Sequence, residues 1–296
     1  MKMETIRVGS RESKLALIQT NIITDMIRKK NPQLEFEIIT VKTAGDRLLD
    51  RRLDSEGGKG LFVKELDRLL LDGDADFCVH SLKDMPAGSD DDLPIYAFSP
   101  RADVRDALVL AENRTDIDFS LPFGSSSPRR IIQLKKLYEN LDIKMIRGNV
   151  ISRIAKVEAG DFGGTVLAMA GLERLEMTKY AKKIYSAEEI IPAAGQGIIA
   201  VQGRADKDYH YLKDISDISS FYAASAERAF ILANGAGCSS PVAAYARVHG
   251  NEMKLDGLYA QDENEDFVRG SISGNAEDAC MLGERLAEKL RKELQV

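Results

Sequence analysis

Apolar stretches of strand length alternate with stretches of helical spacing along the first two thirds of the chain. After the first predicted strand, Leu15, Ile18, Ile22 and Met26 recur at the spacing of an amphipathic helix. Strand and helix signals continue to alternate, which is typical of an α/β fold with a parallel sheet. The predicted strands cover residues 6–10, 34–41, 77 onward, 95–98, 107–110, 143–146, 165–170, 189–191 and 198–201.

The pattern changes after residue 241 to strands separated by tight turns. These strands are predicted at residues 242–248, 253–260 and 267–273, and a final helix covers residues 276–294. Such a pattern indicates a small α+β domain with an antiparallel sheet. The segment at residues 192–197 can return the chain to the first sheet, which would make the first domain discontinuous. We therefore predict domain 1 over residues 1–98 and 197–216, domain 2 over 99–196 and domain 3 over 217–296.

Charge and composition narrow the range of partners. The 296 residues carry a formal net charge of −6, which argues against a nucleic-acid partner because that partner requires a basic surface. No apolar run approaches the roughly 18 residues of a membrane span, and residues 1–7 lack the apolar core of a signal peptide. Three cysteines are too few for a disulfide framework, and three widely spread histidines make a metal site unexpected. We expect a cytoplasmic protein with no membrane contact.

Arginines follow successive predicted strands in the second domain. Because the carboxyl ends of parallel strands meet at one edge of a sheet, we expect these side chains to gather there. Ser127 and Pro128 form a strong helix start, yet two arginines follow at once, where the helix dipole disfavours positive charge. A basic, solvated first turn is one explanation, and a polyanionic small ligand is the other. The arginines of this group are Arg129, Arg130, Arg147, Arg153 and Arg174.

Three further positions have both a structural and a functional interpretation. Lys83 and Asp84 end the apolar stretch that begins at residue 77, either as a surface ion pair or as a carboxylate placed for chemistry. Arg11 and Ser13 are either an ordinary helix start or an anion site. Cys238 stands in a glycine-rich loop, where covalent attachment is favoured over acyl chemistry because no histidine is near it in sequence. The other two cysteines, at positions 78 and 280, are expected to be buried.

Several motifs, matching in order, resemble the porphobilinogen deaminase family, also called hydroxymethylbilane synthase. They are residues 57–62 (GGKGLF), 79–86 (VHSLKDMP), 126–130 (SSPRR), 147–149 (RGN) and 195–197 (GQG). The resemblance covers nearly the whole chain. It implies two periplasmic-binding-protein-like α/β domains that face each other across a cleft, followed by an α+β domain with an antiparallel sheet that carries a cofactor cysteine.

The resemblance also implies an activity. Family members join four porphobilinogen molecules head to tail, releasing ammonia, and form the linear tetrapyrrole hydroxymethylbilane in porphyrin and haem biosynthesis. They use a dipyrromethane cofactor held by a thioether to one cysteine, which corresponds to Cys238. The resemblance further suggests a cytoplasmic monomer whose partner is the small-molecule substrate.

The same resemblance implies the residues of the site. Asp84 is implied as the catalytic carboxylate, since it can stabilise positive charge that develops on the pyrrole nitrogen as ammonia leaves. The residues implied in cofactor binding are Cys238, Lys83, Asp84, Ser127, Arg129 and Arg130. Those implied in substrate binding are Arg11, Ser13, Phe62, Arg147, Arg153 and Arg174. The loop over residues 44–60 is expected to act as a lid.

The sequence departs from the family pattern at two places. Residues 236–241 read AGCSSP where the family commonly has GGCQVP, and Pro128 replaces a common leucine. Both changes leave the reactive atoms in place but put the loop geometry in doubt. Two alternatives remain open: a non-enzymatic, two-lobed anion-binding module, which would not explain Cys238, and a family member that has lost its activity.

Overall fold

The structure is a computed structural model that describes residues 4–42, 63–88, 90–236, 240–262 and 266–294. The chain divides into two compact units, one of residues 1–101 with 198–222 and the other of residues 102–197 with 223–296. The finer division into three domains stays a prediction. Within the described ranges, no helix is both long enough and apolar enough to cross a membrane.

Strands and helices of the described residues fall into three sheets and the helices that flank them. The strands are β1 Glu4–Arg11, β2 Leu34–Val41, β3 Phe77–Ser81, β4 Ile95–Phe98, β5 Asp106–Val109, β6 Phe123–Gly124, β7 Ile143–Lys144, β8 Gly164–Ala168, β9 Ala181–Ile184, β10 Ile199–Gly203, β11 Ala243–His249, β12 Glu252–Tyr259 and β13 Val268–Asn275. The α-helices are α1 Lys14–Lys30, α2 Lys64–Leu71, α3 Pro128–Leu137, α4 Val150–Glu158, α5 Met169–Arg174, α6 Ile218–Ala233 and α7 Ala279–Leu294. Short 3-10 turns lie at Leu82–Asp84, Thr178–Tyr180, His210–Ile215 and Ala276–Asp278.

The first unit is built on a mixed sheet with the strand order β2-β1-β3-β10-β4. β1 pairs in parallel with both β2 and β3, whereas β10 runs antiparallel to β3 and β4. Alternate residues of the strands, such as Val8, Phe77 and Val201, enter one apolar core with Ile23 and Ile27 of α1. This packing fixes the register, because a shift of one residue would turn the apolar side chains to the other face.

The second unit repeats that strand pattern in a sheet with the order β7-β6-β8-β5-β9. Three parallel strands, β7, β6 and β8, are again followed by a strand, β5, that runs antiparallel to both of its neighbours, β8 and β9. The same unit contains a separate antiparallel sheet with the order β11-β12-β13, and helix α7 follows this sheet in the sequence. The predicted architecture, two α/β sheets followed by an α+β part with an antiparallel sheet, is therefore confirmed.

Two local predictions are wrong. The strand predicted at residues 189–191 is a turn, because the Ser186 N–H donates to Glu189 Oε2 at 2.8 Å and the Glu189 N–H donates to Ser186 Oγ at 3.2 Å. The edge strand of this region is β9 instead. Cys78 is buried as expected, but Cys280 is exposed, because α7 turns its neighbours Ala279 and Leu282 to the core.

Candidate active site

A small pocket lies at the carboxyl ends of β1 and β3 in the first unit. It encloses about 50 Å³. In an α/β sheet, this edge is where loops bring functional side chains together. The residues that line it are Arg11, Ser13, Leu15, Ala16, Gln19, Val63, Val79, His80, Ser81 and Asp84. Three of the predicted site residues, Arg11, Ser13 and Asp84, therefore share one pocket.

Asp84 is presented to this pocket by the 3-10 turn that follows β3. In a 3-10 helix, residues three apart lie on the same face, and Leu82 and Met85 are the two that are buried. Lys83 and Asp84 lie between them and are half-buried. The turn is fixed by the Leu82 N–H, which donates to Ile198 O at 3.0 Å, and by the Met85 N–H, which donates to Leu82 O at 3.1 Å. The buried side chains of Leu82 and Met85 thus hold Lys83 and Asp84 in place.

The cation beside Asp84 comes from another strand. Arg11 Nη1 lies 3.9 Å from Asp84 Oδ2, and the Asp84 side chain is 38% exposed. A contact of this length between partly exposed groups is weak, so the carboxylate can accept hydrogen bonds from a ligand. Ser13 caps α1, since its Oγ accepts from the Ala16 N–H at 3.3 Å. The structure therefore places a carboxylate, a guanidinium and a helix N-terminus around one small space.

His80 is a further polar residue of the pocket wall. It is 6% exposed, and its Nε2 has no hydrogen-bond partner among the described residues. Burial lowers the pKa of His80 to about 4, and the positive charge of Arg11 acts in the same direction. The imidazole is consequently neutral at pH 7, and the pocket charge is set by Arg11 and Asp84.

In the second unit, all five predicted arginines follow the parallel strands β6, β7 and β8: Arg147 lies in a loop, and the other four lie on the helices α3, α4 and α5. Arg129 and Arg130 lie in the first turn of α3 but are buried, and both contact the buried Asp106. Arg129 Nη2 lies 2.8 Å from Asp106 Oδ2, and Arg130 Nη2 lies 2.7 Å from Asp106 Oδ1. A structural partner thus accounts for one of the two positive charges at this helix start. Burial lowers the pKa of Arg129, while Asp106 opposes that shift.

The remaining predicted residues of this unit are fixed by main-chain contacts. Ser127 is the N-cap residue of α3, with no side-chain capping hydrogen bond. Arg153 Nε donates to Gly148 O at 2.8 Å, and Gly148 has a φ of 109°, which favours glycine. Arg174 Nη2 donates to Gly197 O at 2.9 Å, and burial lowers its pKa. The short RGN segment that contains Arg147 is thereby tied to α4.

The polar groups that hold these residues were not predicted from the sequence. Asp106 is the first residue of β5, and its position directly before an apolar run was the available signal. Gln196 donates to Asp106, and only its place in the GQG motif drew attention to it. His80 lies in the VHSLKDMP motif without an assigned role. Phe62 and Cys238 lie outside the described residues, so their predicted roles stay predictions.

No group of three or more His, Cys, Asp or Glu side chains in the described ranges has the arrangement of a metal site. The charged residues instead gather at the ends of parallel strands in both units. This architecture defines the class of the protein: an α/β protein with charged strand ends and a C-terminal α+β part.

Comparison with known proteins shows which family within that class the chain matches. A model described as "Porphobilinogen deaminase, dipyromethane cofactor binding domain" matches residues 6–211. A second, "Porphobilinogen deaminase, C-terminal domain", matches residues 221–292. The chain belongs to the porphobilinogen deaminase family, and the resemblance stated from the motifs is confirmed.

Three curated relatives match the sequence of this chain along nearly their whole length. Porphobilinogen deaminase of Acetivibrio thermocellus is 48% identical over 287 residues, which are 97% of this chain and 98% of the relative. The protein of the same name from Ruminiclostridium josui is 45% identical over 98% of both chains. That of Nostoc sp. is 40% identical over 98% of this chain and 92% of its own.

Proposed function

We propose that the protein condenses four porphobilinogen molecules head to tail, releasing ammonia at each step, to give the linear tetrapyrrole hydroxymethylbilane. This is a transferase reaction of tetrapyrrole synthesis. The alternative, a non-enzymatic anion-binding module, is not favoured, because the match to the family continues through the C-terminal part at residues 221–292.

The observation that carries the proposal is the position of Asp84. It stands at the end of a buried strand, half-exposed in a small pocket, with Arg11 Nη1 at 3.9 Å. When ammonia leaves porphobilinogen, positive charge spreads onto the pyrrole nitrogen. A carboxylate close to that N–H stabilises the charge as it develops, and it can accept and return a proton. The 3-10 turn keeps the carboxylate in place, and among the described residues its ion-pair partner, Arg11, is too distant to compete strongly with the ligand.

A carboxylate-bearing cofactor fits the residues of the second unit. Arg129 and Arg130 share one carboxylate, that of Asp106, so the three side chains together carry one net positive charge. The Ser127 hydroxyl does not cap its helix. Such a start to α3 suits an anion. We assign Ser127, Arg129 and Arg130, together with Lys83 and Asp84 of the first unit, to holding a dipyrromethane that is attached through a thioether to Cys238. When bound, this group supplies the pyrrole carbon that forms the new bond.

Substrate recognition falls to residues that are suited to carboxylates. Porphobilinogen carries an acetate and a propionate, and arginine binds a carboxylate through two parallel hydrogen bonds while keeping its charge. We assign this role to Arg11, Ser13, Arg147, Arg153 and Arg174, and we assign a ring contact to Phe62. The Arg153 side chain is already oriented by its bond to Gly148 O at 2.8 Å. Orientation before binding lowers the entropic cost of recognition.

The proposal includes a monomeric enzyme in the cytoplasm, as the family resemblance implies. Incubation of the purified full-length protein with porphobilinogen tests the activity. We expect one ammonia released for each pyrrole incorporated and a linear tetrapyrrole as product, followed by its absorbance after oxidation. Binding of porphobilinogen without release of ammonia would contradict the proposal and would indicate a binding module or an inactive family member.

A further inference from the structure

Asp106 is a fully buried carboxylate of the second unit, and the mechanism of the proposed reaction does not use it. Its side chain is 0% exposed, and four donors surround its two oxygens. Oδ1 accepts from Arg130 Nη2 at 2.7 Å and from Gln196 Nε2 at 3.0 Å. Oδ2 contacts Arg129 Nη2 at 2.8 Å and accepts from Arg130 Nε at 3.2 Å. Arg130 is therefore bound in the bidentate geometry that fixes the plane of a guanidinium.

The charges of the cluster formed by Asp106, Arg129 and Arg130 do not balance. Two buried guanidinia face one buried carboxylate, and burying a charge without compensation is costly. The surplus is one positive charge at the start of α3, where the main-chain N–H groups also point. A protein that needed only a structural ion pair here would require a single arginine. The second arginine is explained if an anion completes the cluster.

One strip of chain, residues 191–197, holds the cluster in place. Arg129 Nη1 donates to Ile191 O at 2.8 Å. The Gln196 amide reaches Val104 O at 2.6 Å as well as Asp106. The strip is anchored in turn by the buried Glu227, whose Oε2 accepts from the Gly195 N–H at 2.7 Å. Neither guanidinium can rotate without breaking contacts to this strip or to Asp106.

We propose that Asp106 is a positioning residue, which with Gln196 sets the orientation of the Arg129 and Arg130 guanidinia so that their surplus charge meets a carboxylate of the cofactor. Asp106 itself touches neither cofactor nor substrate and acts through the two arginines. The inference rests on the proposed function, because it requires that a dipyrromethane is bound.

The test measures loading of the cofactor by intact-protein mass spectrometry. Cofactor-free, full-length protein is incubated with porphobilinogen, and the rate at which chains gain the mass of two pyrrole units is recorded. Asp106→Asn keeps the size of the side chain but removes the charge and one of the two acceptor oxygens, and we expect it to load at least about ten-fold more slowly (~1.4 kcal/mol). Asp118→Asn is the matched control, because Asp118 pairs with Arg114 at 2.7 Å in the same unit. It is expected to load at the wild-type rate.

A double-mutant cycle distinguishes positioning from a general structural effect. If Asp106 acts through Arg130, Asp106→Asn will slow loading by less than about three-fold when Arg130→Gln is already present, because the two effects are not independent. An equal slowing in both backgrounds, or wild-type loading by Asp106→Asn alone, would overturn the inference. Circular dichroism of each variant verifies that the chain folds.

A second variant covers the case in which Asp106→Asn does not fold. Gln196→Met leaves every charge in place and removes only the amide that contacts Asp106. We expect loading to slow by at least about three-fold, and unchanged loading would overturn the inference. If the wild-type protein itself gains no mass, the proposed function fails, whereas normal wild-type loading with unaffected variants removes only the role of Asp106.

Discussion

Two aspartates of this protein stand beside arginines and differ in almost every other respect. Asp84 is 38% exposed and lies 3.9 Å from Arg11. Asp106 is fully buried and lies within 2.8 Å of both Arg129 and Arg130. A loose, partly hydrated pair contributes little to stability and leaves the carboxylate available to a ligand. A tight, buried set fixes the arginines instead and would be costly to break.

The difference shows how the same two residue types serve opposite purposes. At Asp84 the main chain does the positioning, through a 3-10 turn anchored by the buried Leu82 and Met85. At Asp106 the carboxylate does the positioning, and the arginines are the groups whose orientation matters. Substitution of Asp84 should therefore change activity without changing stability.

The largest expected effect is that of Asp84→Asn. Loss of one preorganised charge-stabilising group costs roughly 3 to 4 kcal/mol of transition-state stabilisation, so ammonia release should fall about 10²- to 10³-fold. The melting temperature should stay within about 2 °C of the wild type, because the Arg11 contact is weak. Asp25→Asn, which removes a surface pair with Arg28 in the same unit, is the control and should change neither quantity. Wild-type ammonia release by Asp84→Asn would refute the catalytic role.

The lowered pKa of His80 makes the stability of the folded protein depend on pH. Its folded-state pKa of about 4 lies below the ordinary 6.5, so between these values the unfolded chain binds a proton that the folded chain does not. Stability is therefore lost as the pH falls through this window. Between pH 7 and pH 5, we expect the unfolding free energy of wild-type protein to fall by about 2 kcal/mol more than that of His80→Gln.

The measurement is urea unfolding at both pH values, with each protein compared with itself at pH 7. Burial raises the pKa of Asp67 to about 6, so protonation of this residue increases stability as the pH falls. Asp67 is present in both proteins, and its contribution therefore cancels in the difference. His210→Gln, at an exposed position of the same unit, should behave as the wild type. An identical pH dependence for His80→Gln and wild type would show that the buried imidazole does not resist protonation.

Arg153→Gln tests whether an arginine that is held by the main chain contributes to recognition. Loss of a charge-assisted contact to a substrate carboxylate costs about 1.4 kcal/mol, so kcat/KM for porphobilinogen should fall about ten-fold. Arg285→Gln, on the exposed face of α7, is the control and should leave kcat/KM unchanged. Equal values for both variants would remove Arg153 from the site.

The smallest expected effect comes from two glycine substitutions that distinguish backbone strain from steric conflict. Gly148 has a φ of 109°, and a Cβ there would collide with Ser152 Oγ. Gly160 has a φ of 79° with no described atom within 4 Å of the added Cβ. Both alanine variants are strained, but Gly148→Ala should be less stable than Gly160→Ala by about 1 kcal/mol in urea unfolding. Equal losses would mean that Ser152 simply moves away.

The main elements of the fold could be predicted because apolar spacing dictates them. β2 at Leu34–Val41 coincides with its prediction, and β3, β4 and β8 are recovered within a few residues. The two-residue β6 and the half-exposed β9 were missed, since strands so short or so polar leave no apolar period. The turn at residues 186–190 depends on side chain to main-chain bonds, which a period-based prediction does not register.

The site was predictable only in part. The family resemblance implied roles for both Asp84 and Arg11, and the structure places the two residues in one pocket. That Arg129 and Arg130 are buried against Asp106 could not be predicted, because the partners lie more than 20 residues apart in sequence and meet only through the pairing of β5, β8 and β6. A solvated first turn and a ligand were the two explanations left open for these arginines, and the carboxylate of Asp106 was not among them.

The most direct test of the account is the intact mass of freshly purified protein. We predict that the wild-type chain exceeds its polypeptide mass by two linked pyrrole units, and that Cys238→Ser has the mass of the polypeptide alone. Asp84→Asn should still carry the adduct if it is loaded from a preformed tetrapyrrole, since its role is in the chemistry of each addition. A wild-type mass equal to that of the bare polypeptide in active, folded protein would contradict the account.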